Sequence, residues 1–171
     1  TIACETDDLI AGYALTYGKE NEIVISSFDS DFFQLITDKV SVLRYRGDKT
    51  TICTPKYIKD KFNITPFQYA DFKSLTGDTS DNIKGADKVG PKTAALLLNE
   101  CGSLENIISN ADGIKKPSIK QSIIRNAEKI RTNYKIIKLD NSAQLPFDMS
   151  ELAYKFNGIS TNEVLKGVGL K

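Results

Sequence analysis

The sequence predicts an α/β fold: a partial, parallel-type sheet with flanking helices, followed by a helical helix–hairpin–helix region. Three observations lead to this prediction. Helical and β-branched strand patterns alternate over the first third of the chain. Mostly helical patterns follow residue 54. A glycine-punctuated turn with lysines interrupts these helices at residues 85–90. We place the boundary between two predicted domains, 1–76 and 77–171, before this turn.

The first elements follow from local patterns. Residues 5–18 place apolar side chains at 9, 10, 13, 14 and 17, a helical stripe, and acids in the first turn suit the helix dipole. Residues 22–28 (EIVISSF) indicate a short buried strand, and a helical turn follows at DFFQLIT. Residues 40–46 and 50–53 flank Gly47-Asp48-Lys49, which predicts a β-hairpin.

Two further helices share one start signal. Thr54-Pro55 and Thr65-Pro66 each combine a capping threonine with proline at the first helical position. The second of these helices should stop at Gly77. Later helices are predicted at 91–100, 103–110, 117–138 and 161–167, whereas 141–150 suggests an extended or looped segment.

Composition excludes several function classes. With 40% hydrophobic and 26% charged residues, the 171-residue chain has the composition of a globular protein rather than a disordered one. Histidine is absent, which excludes Ser-His-Asp and Cys-His catalysis and the usual zinc sites. Three scattered cysteines fit a reducing cytosol, so we expect a cytoplasmic protein. No apolar run reaches the roughly 18 residues of a membrane helix, so we expect no membrane partner.

Charge is unevenly distributed along the chain. Residues 1–83 hold 13 acids and 9 bases, while residues 84–138 hold 5 acids and 11 bases. Such segregation predicts a polyanionic partner for the basic part, although a merely solvated lysine-rich surface stays open as the alternative. The later helices carry seven of these basic residues: Lys115, Lys116, Lys120, Arg125, Lys129, Arg131 and Lys135.

Carboxylates form three clusters. The clusters are Glu5, Asp7 and Asp8; Asp29 and Asp31; and Asp78 and Asp81. The second follows a strand's carboxyl end, where open α/β sheets place their sites. If all seven converged, their repulsion would be destabilising unless divalent cations neutralised it. Oxygen ligands without histidine favour Mg²⁺ or Mn²⁺. A charged helix start, a turn and a capping turn are the respective structural alternatives.

The glycine turn predicts phosphate binding. Gly85, Gly90 and Pro91 frame a tight connection into a helix, whose amino end offers free amides to a phosphate. Lys88 and Lys92 add positive charge beside it. This is how a helix–hairpin–helix binds a nucleic-acid backbone without reading sequence. A turn packed for structural reasons alone is the alternative.

Together these motifs resemble those of the 5′-nuclease family, which comprises flap endonucleases, bacteriophage 5′-exonucleases and the 5′→3′ exonuclease domain of bacterial DNA polymerase I. Its E-A-D-D motif is matched by Glu5, Asp7 and Asp8, and its D-x-D motif by Asp29 and Asp31, followed by Gln34-Leu35. Its G-D-x-S-D-N-I-P-G motif is matched over residues 77–85, with Lys84 in place of proline. Its hairpin is matched at Gly85, Val89, Gly90, Lys92, Thr93 and Ala94, but not at Ala86 and Lys88.

The resemblance, which covers residue 1 to roughly residue 145, implies a metal-dependent 5′→3′ exonuclease or flap endonuclease of DNA replication and repair. It implies that all seven acids bind two or more Mg²⁺ or Mn²⁺ ions, with Glu5, Asp7 and Asp8 near the catalytic centre. It implies that the hairpin holds duplex DNA through Gly85, Lys88, Gly90, Lys92 and Thr93, with a K⁺ ion. Residues 1–76 would be the C-terminal part of an α/β metal-binding nuclease core, and 77–171 the helix–hairpin–helix DNA-binding region and C-terminal helices.

Some family features lie outside these 171 residues. The family's first strand, with its metal-binding aspartate, and its helical arch are not found in the sequence. We therefore expect an upstream segment, or a fused polymerase, in the complete protein, and poor cleavage of 5′ ends or flaps by this chain alone. Two alternatives stay open: a non-enzymatic helix–hairpin–helix module that binds duplex DNA, and a ribonuclease with a related acidic cleft.

Overall fold

The computed structural model describes residues 5–154, 158 and 160–167. Its helices are α1 (Thr6–Tyr17), α2 (Pro55–Phe62), α3 (Tyr69–Thr76), α4 (Pro91–Cys101), α5 (Leu104–Ser109), α6 (Pro117–Ile137) and α7 (Thr161–Gly167). Its strands are β1 (Ile23–Ser26), β2 (Val40–Arg44), β3 (Thr51–Cys53), β4 (Gly77–Asp78) and β5 (Ile83–Lys84). This order confirms the predicted α/β class. In these ranges, no helix has the length and apolar character that a membrane crossing needs.

The sheet contains β1, β2 and β3. β1 runs parallel to β2, with Ile25 opposite Val42, and β2 pairs with β3 in antiparallel fashion. The predicted hairpin at 40–53 is therefore confirmed. The prediction of a buried β1 holds for one face only, since Ile25 enters the core while Val24 is 60% exposed. Successive strand residues point to opposite faces, and the described elements cover only the face of Ile25.

Both predicted threonine caps are present. The Thr54 side chain accepts a hydrogen bond from the Tyr57 amide at the start of α2. Thr65 forms a capping box with Gln68, but the first turn here is a 3₁₀ turn, Pro66–Gln68, and α3 begins only after it. The two starts thus share their capping chemistry and differ in the turn that follows.

An aromatic cluster positions the loop after β1. Phe33 lies on the 3₁₀ helix Asp31–Leu35 and packs edge-on against Tyr69 of α3, with ring centroids 5.2 Å apart. Phe62 of α2 contacts both Tyr69 and Phe72. Because α3 leads directly into β4, this packing sets the loop that contains Asp31 beside the segment after α3.

The segment after α3 forms a minimal hairpin. The sequence analysis predicted no strand here, whereas Gly77 pairs with Lys84 and Asp78 with Ile83 as β4 and β5. Two residues per strand are too few for an alternating pattern, so sequence periodicity could not reveal them. Gly77 has a φ of +84°, which favours glycine. A side chain at Gly85 would collide with the backbone of the last turn of α3, so the chain requires glycine there too.

A buried asparagine holds this junction together. Asn133 of α6 donates to the Ser74 carbonyl at 3.1 Å and to the Lys84 carbonyl at 3.0 Å. One side-chain amide thus joins α6 to the end of α3 and to β5. The predicted domain boundary between residues 76 and 77 stays a prediction. Helix α3, which lies before this boundary, packs on both α4 and α6, which lie after it.

We expect Asn133→Ala to lower the free energy of unfolding by roughly 1–3 kcal/mol, because two carbonyl groups would lose their donor. Chemical denaturation monitored by circular dichroism measures this. Thr132→Ala is the control, since this exposed neighbour bonds only within α6. Equal stability of the two variants would contradict the role of Asn133.

Candidate metal centre and nucleic-acid interface

Three aspartates from two of the predicted clusters converge. Carboxylate oxygens of Asp31, Asp78 and Asp81 all lie within 4.8 Å of one another. Asp31 follows β1 and begins the 3₁₀ helix, Asp78 lies in β4, and Asp81 lies in the turn of the β4–β5 hairpin. The packing of Phe33 on α3 accounts for this meeting of distant segments.

The Asp31 side chain is the least satisfied member of the group. Its Oδ1 atom is buried and has no hydrogen-bond partner among the described residues. Burial first, and then the neighbouring Asp29 charge, raise the pKa of Asp31 to about 7, although Lys73 opposes the shift. A buried carboxylate oxygen without a partner, within reach of two other carboxylates, fits a hard cation.

Asp78 is held in place by a lysine that the sequence analysis did not single out. Lys73 of α3 forms an ion pair with Asp78, and its side chain is only 14% exposed. The Ser80 amide also donates to Asp78 Oδ1 at 3.0 Å. Burial alone would raise the pKa of Asp78, but the bonds from Lys73 and Ser80 outweigh it, so the pKa is lowered. No motif marked Lys73, which lies just before G-D-x-S-D on a helix.

The first acidic cluster borders this group through Asp29. Asp29 Oδ1 accepts a hydrogen bond from the Asp31 amide at 2.8 Å. Burial raises the pKa of Asp7, and the charges of Asp29, Glu5 and Asp8 raise it further. The amino end of α1 therefore lies close to Asp29. Glu5, Asp7 and Asp8 are not members of the 4.8 Å group, which in the described part of the chain comprises the three aspartates above.

The predicted hairpin has the expected shape despite its departures from the family pattern. Ala86 and Val89 are buried, and the Val89 amide donates to the Ala86 carbonyl at 3.2 Å. Lys88 has a φ of +64°, so a lysine takes the left-handed position that glycine would occupy more easily, at a cost of roughly 1–2 kcal/mol.

The start of α4 offers backbone donors. Gly90 is the capping residue of α4 and provides no side chain to bond the first amides. The amides of Lys92 and Thr93 therefore lie at a helix end that suits an anion. The side chain of Lys92 is exposed beside them, as is that of Lys88 in the preceding turn.

Part of the predicted basic surface is neutralised within the protein. Three of the seven residues on the later helices form exposed ion pairs: Lys120 with Asp112, Arg125 with Asp87, and Arg131 with Glu105. Exposed pairs stabilise little, but they lower the local positive charge. The Arg125 pair also ties α6 to the hairpin. Three of the seven basic residues therefore have their charge offset by an acid of the same protein.

Comparison with known proteins agrees with this geometry. Residues 2–63 match a family model described as 5′-3′ exonuclease, N-terminal resolvase-like domain. Residues 64–159, more than half of the chain, match one described as 5′-3′ exonuclease, C-terminal SAM fold. The chain belongs to the 5′-3′ exonuclease family. The resemblance inferred from the acidic motifs and the glycine turn is thereby confirmed.

Relatives of this 5′-3′ exonuclease family member include longer proteins. This chain is 38% identical to a thermostable DNA polymerase I of Thermus filiformis over 86% of its own length and 18% of the polymerase. It is 34% identical to a 5′-3′ exonuclease of Buchnera aphidicola over 85% of this chain and 52% of that protein. The chain thus spans about a fifth of the polymerase.

Solved structures share the fold. A flap endonuclease of bacteriophage T5, in a pseudo-enzyme-product complex with DNA and metal ions, matches with a TM-score of 0.70 and 24% identity. The match covers 80% of this chain and 50% of that one. This similarity confirms the architecture of the exonuclease-family chain.

Without divalent cations, we expect Asp31→Asn to raise the melting temperature at pH 8. The raised pKa of Asp31 means that its protonated form favours folding. This contribution is present below about pH 4 and is lost as the pH rises towards 7. Asparagine stays neutral, so the gain should be a few degrees, given about 2–4 °C per kcal/mol at this size.

Calorimetry at pH 8 and pH 4.5 in EDTA measures the difference, which should shrink at the lower pH. Asp60→Asn is the control, because Asp60 pairs with Lys56 on the exposed face of α2. A melting temperature of Asp31→Asn at or below that of the parent at pH 8 contradicts the prediction.

Proposed function

We propose that this chain provides the acidic centre and the duplex-binding hairpin of a divalent-metal-dependent 5′→3′ exonuclease or flap endonuclease. The observation that carries this proposal is the group of Asp31, Asp78 and Asp81, with the buried Asp31 oxygen that has no partner among the described residues. Asp78 and Asp81 lie in the segment that leads into the glycine turn. Family membership supports the same reaction class, hydrolysis of DNA phosphodiester bonds.

Magnesium is the proposed ion, with manganese as its substitute. The group offers only carboxylate oxygens, and hard cations of this kind prefer such ligands. The T5 flap endonuclease of the same fold was solved with metal ions. When bound, two such ions supply an activated water at neutral pH and stabilise the charge that develops on the leaving oxygen.

The acidic residues of this chain would form two positions for divalent ions. Asp31, Asp78 and Asp81 would hold one ion, with Lys73 and Ser80 fixing the orientation of Asp78. The second position would be shared by the remaining predicted ligands at the amino end of α1 and at the strand end: Glu5, Asp7, Asp8 and Asp29. Asp29 would connect the two, because it caps the Asp31 amide and influences Asp7.

The hairpin would hold the DNA backbone. The amino end of α4 and the exposed side chains of Lys88 and Lys92 offer donors and charge to phosphates, which carry no sequence information. The T5 structure is a complex with DNA, which supports DNA as the partner. A K⁺ ion at this turn, recognition of 5′ ends or flaps, and fusion to a polymerase stay predictions.

We expect Asp29→Asn, in the full-length gene product, to reduce cleavage of a 5′-flap substrate by at least 10³-fold while duplex affinity in Ca²⁺ stays nearly unchanged. Loss of a carboxylate between the two ion positions removes catalysis and leaves the hairpin intact. Gel-based cleavage and fluorescence anisotropy measure the two effects.

Asp60→Asn again serves as the control and should cleave normally. If Asp29→Asn cleaves DNA at the parent rate, the acids are not ligands. The non-enzymatic DNA-binding module would then be the better interpretation.

We expect Lys92→Ala to weaken duplex binding to a similar extent for every sequence tested and to reduce the salt slope of binding by about 1. Titrations of three unrelated duplexes at several salt concentrations measure this. Lys56→Ala, on α2, is the matched control. A change in sequence preference would contradict a phosphate contact.

A further inference from the structure

The segment that follows α6 runs along α1. We call residues 138–149 the strap. Leu145 of the strap packs on Gly12, where a side chain would approach the leucine to 2.9 Å. The Tyr13 hydroxyl donates to the Phe147 carbonyl at 2.8 Å, and the Tyr17 hydroxyl donates to Asp148 at 3.1 Å. The strap is therefore attached along the length of α1, the helix whose first turn bears the first acidic cluster.

A single side-chain amide fixes the start of the strap. Gln34 donates to the Ile137 carbonyl and accepts from the Leu139 amide, both at 3.1 Å. Gln34 lies in the 3₁₀ helix that begins at Asp31. Gln34, which the resemblance matched three residues beyond the D-x-D motif without giving it a role, thus holds the end of α6 beside the helix that begins at Asp31.

The next residue of the strap contacts a predicted metal ligand. The Asp140 amide donates to Asp8 Oδ1 at 2.8 Å. A carboxylate has two oxygens, so a fixed bond to one of them sets the direction in which the other faces a cation. Partners of this kind orient ligands and commonly change metal affinity by 10–100-fold when they are removed.

We propose that the strap is a positioning element for the metal centre, in which Gln34 places the Asp140 amide and this amide orients Asp8. The proposal rests on the proposed function, because it assumes that Asp8 meets a divalent ion. It assigns Gln34 and Asp140 no contact with substrate. The Asp140–Asp8 bond lies at an exposed surface, and the two Gln34 bonds are partly buried. A purely structural role of these bonds would leave ion binding unchanged.

Two substitutions of Asp140 separate the effect of its backbone amide from the effect of its side chain. Asp140→Ala and Asp140→Pro both remove the carboxylate that accepts from Ser142, but only proline removes the N–H group. Mg²⁺ is titrated into the full chain while two-dimensional NMR follows the chemical shifts of the Leu9 and Asn82 amides. Leu9 reports on Asp8, and Asn82 reports on Asp81.

We expect Asp140→Pro to require about tenfold more Mg²⁺ than Asp140→Ala for an equal shift change at Leu9, with no difference at Asn82. Equal titrations of the two variants at Leu9 would overturn the positioning role and leave the proposed function intact. A shift change at Asn82 alone in the parent chain would also overturn the positioning role. A shift change at neither amide in the parent would overturn the proposed function as well.

A second pair covers the case in which Asp140→Pro fails to fold by circular dichroism. Gln34→Leu removes both bonds to the start of the strap, whereas Tyr13→Phe removes a bond farther from Asp8. We expect Gln34→Leu to raise the Mg²⁺ concentration needed for the Leu9 shift change severalfold and Tyr13→Phe to leave it unchanged. The same requirement in both variants would overturn the inference.

Discussion

Repulsion between Asp31, Asp78 and Asp81 is the constraint on which the rest of this structure depends. Three carboxylates within 4.8 Å favour separation of the segments that carry them. The protein counters this with one nearly buried cation, Lys73, and with neutral packing between aromatic rings. Burial, together with the charge of Asp29, still raises the pKa of Asp31, so an additional positive charge would favour its ionised form. In the proposed function, a divalent ion would supply that charge.

Much of the fold could be predicted from the sequence because its signals are local. Thr54 with Pro55 specifies a helix start within a few residues, and Gly47 with its flanking strands specifies a hairpin. The acidic clusters were also visible as short spacings. The convergence of the clusters could not be predicted in this way, since spacing within each cluster says nothing about the distance between clusters. That expectation came from the resemblance to 5′-nucleases, and the structure supports it directly for three of the seven acids.

The remaining features depend on partners that are remote in sequence. The Asp8–Asp140 bond spans 132 residues and uses a backbone amide, which every non-proline residue possesses. No residue type could mark it. Lys73 looked like any other helical lysine until its burial against Asp78 was known. Lys88 is the opposite case. A lysine disfavours the left-handed conformation, yet the surrounding turn imposes that conformation on it.

The two bonds of Asn133 also bear on how the protein is made. They reach back 59 and 49 residues, to Ser74 and Lys84. A chain emerging from the ribosome releases both acceptors well before their donor, and contacts between distant residues form late because loop closure costs entropy. We expect the β4–β5 hairpin to lack this support until α6 has emerged, so the acidic centre becomes fully fixed only near the end of translation of this segment.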